Sequence, residues 1–304
     1  MTASSHSWLE KVQCVASGIR RRVLERVLAN QGGYLSQACS SAEIFATLYV
    51  RVMNLAAVDA PLVPGPFPGV PGPANPGRLT GQRFNGRGDA EHDRFIMSPS
   101  QYALVLYAAL VEVDRMVPEG LAQFNVDGSS VEMIGADHSP GLELMSGSLG
   151  QGLSQAAGIA LGRRRHGEAG RVWVFMSDGE FQSGQTWETV QTASHMGLDN
   201  LGVYVDVNGH QCDGCTRDVM NVEPLDARLK AFGATAFRVD GHDPGKLAAA
   251  ARRPRRGRPL FVLCQTDTCR GAEPLRARAP KFHYLRFRDE GERQQYAALL
   301  ERMR

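Results

Sequence analysis

Asp178 and Asn208 are the side chains of this sequence whose types and spacing point most directly to chemistry. Each follows a short apolar run, Val172 to Met176 and Leu201 to Val205, and they stand thirty positions apart. Such runs read as fully buried strands. In an open parallel sheet, ligands gather outside the carboxyl ends of the strands. If these two strands are neighbours, both side chains project from the same edge. A carboxylate oxygen, an amide oxygen and a backbone carbonyl are hard ligands of the kind Mg²⁺ takes, with water and phosphate oxygens completing its octahedron. Gly179 and Gly209 let the backbone approach a bulky diphosphate closely. Turn capping explains an Asp at one strand end and an Asn at the next equally well. Cys212 and Cys215 form a C-x-x-C pair, but no second Cys/His pair stands at zinc-finger spacing.

The elements that must position these residues are legible in outline. Trp8, Val12, Val15, Ile19, Val23 and Val27 recur at helical spacing from Trp8 to Asn30. A second helix is expected over Ser41 to Met53, with Glu43 in its first turn. Gln185 to Met196 is helical in character, and Thr235 to Val239 and Leu260 to Cys264 read as two more strands. Strand, helix, strand at about 30-residue spacing is the βαβ unit of a parallel sheet. The fold class is therefore α/β, a mostly parallel sheet flanked by helices on both faces. Residues 1–304 are expected to form a single domain with a C-terminal tail from about residue 284. Between Ala60 and Gly88 lie seven of the sixteen prolines and seven glycines, too many for a helix or central strand. A long loop at about 60–88 is expected, near the mouth of the site or against a partner.

Composition narrows the function classes. Apolar residues make up 43% and charged residues 22%, with a net charge of +2, so no global field draws the chain to nucleic acid or an anionic membrane. The arginine runs at Arg20 to Arg22, Arg163 to Arg165 and Arg252 to Arg258 lack interleaved aromatics and read as solvated faces. No apolar stretch approaches the roughly 20 residues a membrane helix needs, and the N-terminus lacks a secretory pattern. Six cysteines in 304 residues do not read as a disulfide framework, so a cytoplasmic setting is expected.

The run SDGEFQSGQTWETVQTASHMGLDNLGVYVDVNGHQCDG strongly resembles the thiamine-diphosphate signature of transketolases. That family opens the segment with G-D-G-E and closes it with D-x-N-G-x-Q-x-D-G. SPGLELMSGSLGQGLSQAAGIALG resembles the family's P-G-x-E-x-x-T-G-x-L-G-Q-G-L segment. CSSAEIFATLYVRVMNL and DRFIMSPSQYALVLYAAL resemble two helices of the same fold, and PLFVLCQTDTCRGAEPLRARAPKFHY its T-x-x-K-G strand with a W-H-like pair. The resemblance covers residues 10 to 290. It implies that Asp178, Asn208 and the carbonyl of His210 hold Mg²⁺, and that Gly179 touches the diphosphate. It further implies that Gly147, Ser148 and Leu149 run beside the cofactor rings. Glu180 matches an acidic position near the subunit interface, and His283 matches the histidine facing diphosphate and substrate.

In that family a glutamate from a second domain supports proton loss from the cofactor's thiazolium ring. This sequence resembles only the N-terminal half of such an enzyme. The resemblance therefore implies a partner, a C-terminal transketolase subunit supplying the pyrimidine-binding domain and its glutamate in an α₂β₂ heterotetramer. Three departures bear on substrate. Gly33-Tyr34 stands where the family has Gly-His, Gln101 ends the S-x-G-H element, and in MIGADHSPG only His138 could replace the missing G-H-P histidine. Tyr34 and Gln101 can hydrogen-bond, but neither can carry an imidazolium. Ser177 replaces the first glycine of G-D-G. These changes favour a specialised transfer of a two-carbon ketol unit, in secondary metabolism, to an aldehyde or acyl acceptor. The rival readings are another thiamine-dependent enzyme and a non-catalytic scaffold. The glycine spacing at Gly147, Gly150 and Gly152 does not fit a nicotinamide-binding enzyme.

Overall fold

A computed structural model describes residues 3–69, 72–75, 80–145, 147–253 and 256–303. In chain order its elements are α1 (Ala3–Ala29), β1 (Gly32–Gly33), α2 (Leu35–Thr47), β2 (Arg94–Met97), α3 (Ala103–Glu112) and α4 (Gln151–Arg165). There follow β3 (Val172–Ser177), α5 (Gly184–His195), β4 (Leu201–Val207), β5 (His210–Gln211), β6 (Gly214–Cys215), α6 (Thr216–Met220) and α7 (Leu225–Ala231). The chain ends with β7 (Thr235–Asp240), α8 (Pro244–Ala251), β8 (Leu260–Gln265), β9 (Leu285–Arg286) and α9 (Glu290–Arg302).

Five strands form a sheet in the order β2-β3-β4-β8-β7, every pair parallel. The three inner strands β3, β4 and β8 are almost wholly buried and apolar because both faces of the sheet are covered there. The edge strand β7 carries Thr235, Arg238 and Asp240 and is only partly buried. Successive side chains point to opposite faces. Phe95, Met97, Trp173, Phe175, Tyr204 and Val262 meet α1, α2, α3, α8 and α9 in one core. Ile96, Val174, Met176, Val203, Val205 and Leu263 meet α4, α5 and α7 in the other. The expected fold class holds. Among the described residues, no helix is long and apolar enough to cross a membrane.

Three local expectations change. DRFIMSPSQYALVLYAAL is not one helix: Arg94–Met97 enters the sheet as its edge strand, and the helix begins only at Ala103. The tail from residue 284 is ordered. β9 pairs antiparallel with β1, and α9 buries Tyr296, Leu299 and Leu300 against the core that contains α1. Within 60–88, the described residues Gly65 and Phe67 dock on the stretch before α4. Phe67 N–H donates to Gly128 O at 2.8 Å, and Ser130 Oγ donates to Gly65 O at 2.7 Å.

Glu43 also departs from expectation, because α2 starts at Leu35 and continues into a π turn over Leu48–Val52. The carboxylate is therefore mid-helix, where a helix N-terminal dipole cannot support it. It is 6% exposed, accepts from Arg20 at 2.5 Å, and lies 2.9 Å from His242 Nδ1. Burial alone would raise its pKa from 4.5, but the hydrogen bonds from His242 and Arg20 outweigh it and hold the group at about 2. A depressed carboxylate stabilises the fold above its unfolded pKa, and that stabilisation is lost as pH falls towards the folded value. Glu43→Ala is expected to cost on the order of 3 kcal/mol at pH 7, because Arg20 loses its buried partner. Thermal melts should show the gap to wild type narrowing between pH 4.5 and about 2; a gap independent of pH would contradict this account.

Candidate functional site

The pairing of β3 with β4 puts Ser177 opposite Asp206, so Asp178 and Asn208 leave the sheet at the same end. They share a cavity of about 350 Å³ with Tyr34, Gln101, Gly147, Leu149, Gly179, His210 and His283. These residues come from segments far apart in the chain, and the parallel sheet gathers them at the carboxyl ends of its strands.

Asp178 is 3% exposed. Its Oδ2 accepts from Gly209 N–H at 3.0 Å and from Thr216 Oγ1 at 3.3 Å, while its Oδ1 is buried with no hydrogen-bond partner. Burial first, and the nearby Asp206 carboxylate second, push its pKa up to about 7. A buried acceptor left unpaired beside a second acid is a place where a cation would be strongly stabilised. Asn208 turns its Nδ2 inward to Asp206 Oδ2 at 3.0 Å and to Tyr102 Oη at 3.2 Å. Its Oδ1 accepts from His210 N–H at 2.9 Å. Gly209 between them adopts φ +72°, a conformation that favours glycine and turns the chain back into the β5–β6 hairpin.

The space suits a phosphate. A Cβ added at Gly179 would meet only Gln211 Cβ, at 4.0 Å, and one at Gly147 only Ile134 Cγ2, at 3.9 Å. Among the described residues, no cluster of three His, Cys, Asp or Glu is arranged to hold a metal ion. A cation here would therefore draw on the mixed set of Asp178, Asn208 and the His210 carbonyl, with further oxygens from a ligand, which is the chemistry Mg²⁺ prefers. The residues fit both diphosphate and Mg²⁺.

The opposite wall is aromatic and uncharged. Tyr34 packs edge-on against His283, with ring centroids 5.4 Å apart, and against Tyr284 at 4.9 Å. Burial, then Tyr284 and Cys212, raise the Tyr34 phenol, so it stays protonated at neutral pH. Burial lowers the His283 imidazole, partly offset by Asp213, which leaves it neutral at pH 7. Gln37 Nε2 donates to the His283 carbonyl at 3.1 Å and fixes its backbone. Phe282 stacks edge-on against the His210 ring at 4.7 Å.

Three expected residues do not reach the cavity wall. Glu180 is fully buried and has no access to it. Its Oε2 accepts from Ser177 N–H at 2.9 Å, and its Oε1 from Gly150 N–H at 3.2 Å and from the Ser98 hydroxyl. It closes a capping box on the turn carrying Asp178 and ties down the loop that ends at Gly150. That position makes it a positioning residue rather than a catalytic one. His138 is 7% exposed and lies under the 60–88 segment, with Nε2 3.0 Å from Glu132 and its ring 5.0 Å from that of Phe67. It therefore does not substitute for the missing family histidine. Ser148 is exposed on the loop between Gly147 and Leu149, off the cavity wall, and no described residue of 60–88 lines the cavity.

Sequence reasoning overlooked Asp206, although it lies within the D-x-N run. It is wholly buried and accepts from Ser40 at 2.6 Å, Tyr102 at 2.8 Å, Asn208 and Thr266. Ser36, Gln182 and Thr268 also line the cavity with no motif to distinguish them, as does Gln211, the glutamine of the D-x-N-G-x-Q-x-D-G run.

Comparison with known proteins now gives the class. Residues 85–291 match the transketolase thiamine diphosphate binding domain, and the chain belongs to the transketolase family. It is 35% identical over 275 residues to the transketolase family protein y4mO of Sinorhizobium fredii, covering 89% of this chain and 88% of that one. It is 29% identical over 264 residues to the 6-deoxy-6-sulfo-D-fructose transketolase subunit SqwG of a Clostridium species, covering 86% of each. Transketolase from Campylobacter jejuni superposes with a TM-score of 0.73 at 18% identity, over 96% of this chain and 46% of that one. The chain thus spans about half the length of that solved structure.

Glu180→Gln would set an amide NH₂ against the donors it now serves. It should lower stability by about 2 kcal/mol, the scale for leaving buried polar groups unpaired. A melting temperature equal to wild type would show that the capping box is dispensable.

Proposed function

We propose that this chain is the diphosphate- and Mg²⁺-binding subunit of a two-subunit, thiamine diphosphate-dependent transketolase. The observation that carries the reading is the orphaned Asp178 oxygen, which shares one cavity with Asn208, the open face of Gly179 and His283. When bound, thiamine diphosphate supplies a carbon nucleophile that transfers a two-carbon ketol unit from a ketose-type donor to an aldehyde or acyl acceptor. Asp178, Asn208 and the His210 carbonyl hold the cation, and Gly179 admits the diphosphate. His283, neutral and flanked by Tyr34, can accept or donate a proton at the substrate's oxygens. Tyr34 donates a hydrogen bond where the family has a charged histidine, and Gln101 does the same near the cofactor. With neutral donors the site reads hydroxyl or carbonyl groups by geometry rather than by charge, consistent with a substrate in specialised metabolism.

The partner we propose is a C-terminal transketolase subunit that brings the pyrimidine-binding domain and its glutamate, in an α₂β₂ assembly. The subunit designation of the Clostridium relative supports this. So does the apolar rim of the cavity, where Ile134 and Leu149 are 51% and 46% exposed. The 304 residues act as one diphosphate-binding unit in this reading. The replaced histidines favour a second reading, a non-catalytic scaffold.

Calorimetry of thiamine diphosphate binding to the co-expressed complex, with and without Mg²⁺, separates the two. The enzyme reading expects Mg²⁺-dependent binding by the complex and its loss in Asp178→Ala; no binding by the assembled complex would favour the scaffold. Gly179→Ala should change stability by less than about 0.5 kcal/mol, the scale of an uncrowded substitution. The same variant should weaken cofactor binding at least about tenfold, since its methyl group occupies space meant for phosphate. Unchanged binding would place the diphosphate elsewhere.

A further inference from the structure

Two buried side-chain atoms in the cavity wall lack any hydrogen-bond partner: Asp178 Oδ1 and Gln211 Oε1. Both are acceptors. Asp178 belongs to the proposed cation ligands, but nothing so far accounts for Gln211. It sits on β5, next to His210, in the hairpin whose backbone pairs Gln211 with Gly214. Its Cβ lies where a methyl group on Gly179 would first make contact, so the side chain borders the space left for the diphosphate.

Buried acceptors are rarely left unpaired, and each one asks for a donor or a cation. Ionised phosphate oxygens cannot meet that need, since they too only accept. Bound Mg²⁺ or Mn²⁺ retains several waters, whose protons are strong donors. Groups in this outer position orient the inner ligands and tune metal affinity.

We propose that Gln211 is a further residue of the metal centre, its amide oxygen accepting a hydrogen bond from a water on the divalent cation. This inference rests on the metal site proposed for Asp178, Asn208 and His210. It makes Gln211 a positioning residue, acting on the cation through water. The hairpin then contributes twice: the His210 carbonyl to the metal, and the next side chain to the metal's hydration shell.

The test is a titration of the co-expressed complex with Mn²⁺ and inorganic pyrophosphate, with free Mn²⁺ read by electron paramagnetic resonance and folding checked by thermal melts. Pyrophosphate carries no ring amine, so at a pH where it is fully ionised the donors it brings to Gln211 are metal-bound waters. Gln211→Met keeps the length and removes the acceptor; it should weaken Mn²⁺ binding on the order of 10–100-fold with an unchanged melting temperature. Gln211→Glu, which retains an acceptor oxygen, should keep near-wild-type binding. Wild-type affinity in Gln211→Met, with binding lost in Asp178→Ala, overturns this inference and leaves the metal site standing. Loss only with thiamine diphosphate, and not with pyrophosphate, also overturns it, since the donor would then be the cofactor's ring. No Mn²⁺ binding by the wild-type complex, or full binding by Asp178→Ala, removes the metal site and the inference together.

Discussion

The Asp206 carboxylate accepts hydrogen bonds from Ser40 on α2, Tyr102 ahead of α3, Asn208 after β4 and Thr266 after β8. Four separate stretches of chain therefore converge on one buried acid. With every acceptor position used, such a network is rigid, and losing one donor would leave a costly unpaired charge. Its consequence for the site is direct. Asn208 must turn its NH₂ inward to serve Asp206, which leaves the amide oxygen on the cavity side. The same carboxylate adds to burial in raising the pKa of Asp178. Orientation of one proposed ligand and the electrostatic need of the other thus trace back to a single residue.

Around that anchor the cavity divides by chemistry. The sheet end offers oxygen acceptors and open glycine backbone, suited to a cation and a diphosphate. The facing wall offers rings and neutral donors: Tyr34, His283, Phe282 and Gln101. The tail makes this wall possible, because β9 pairs with β1 and holds Tyr284 against Tyr34. The C-terminal segment therefore shapes the aromatic wall of the cavity.

Two residues with reactive side chains carry architecture instead. Glu180 sits one position beyond Gly179 on the cavity wall, yet its carboxylate faces the backbone amides of Ser177 and Gly150. His138 secures the 60–88 segment through Thr80, whose hydroxyl donates to its carbonyl at 2.9 Å, and through Phe67. In both cases a titratable group is used as a hydrogen-bonding bracket, a role that depends on where the backbone donors happen to lie.

The sequence by itself determined the sheet and its ligand end. Burial on both faces demands unbroken apolar runs, and those runs mark β3, β4 and β8 without ambiguity of place. Asp178, Asn208 and the glycines follow them at fixed short distances, so local chain geometry carries them to the cavity. Arg94–Met97 escaped notice because four residues ahead of a long apolar helix have no period of their own. Only the tertiary structure decided which side chains face the cavity. Glu180 and Gly179 are neighbours in sequence, but the turn after β3 sends one inward and the other to the site. Asp206 and Gln37 gain their roles from partners brought close by strand register and helix packing, contacts that no local pattern encodes.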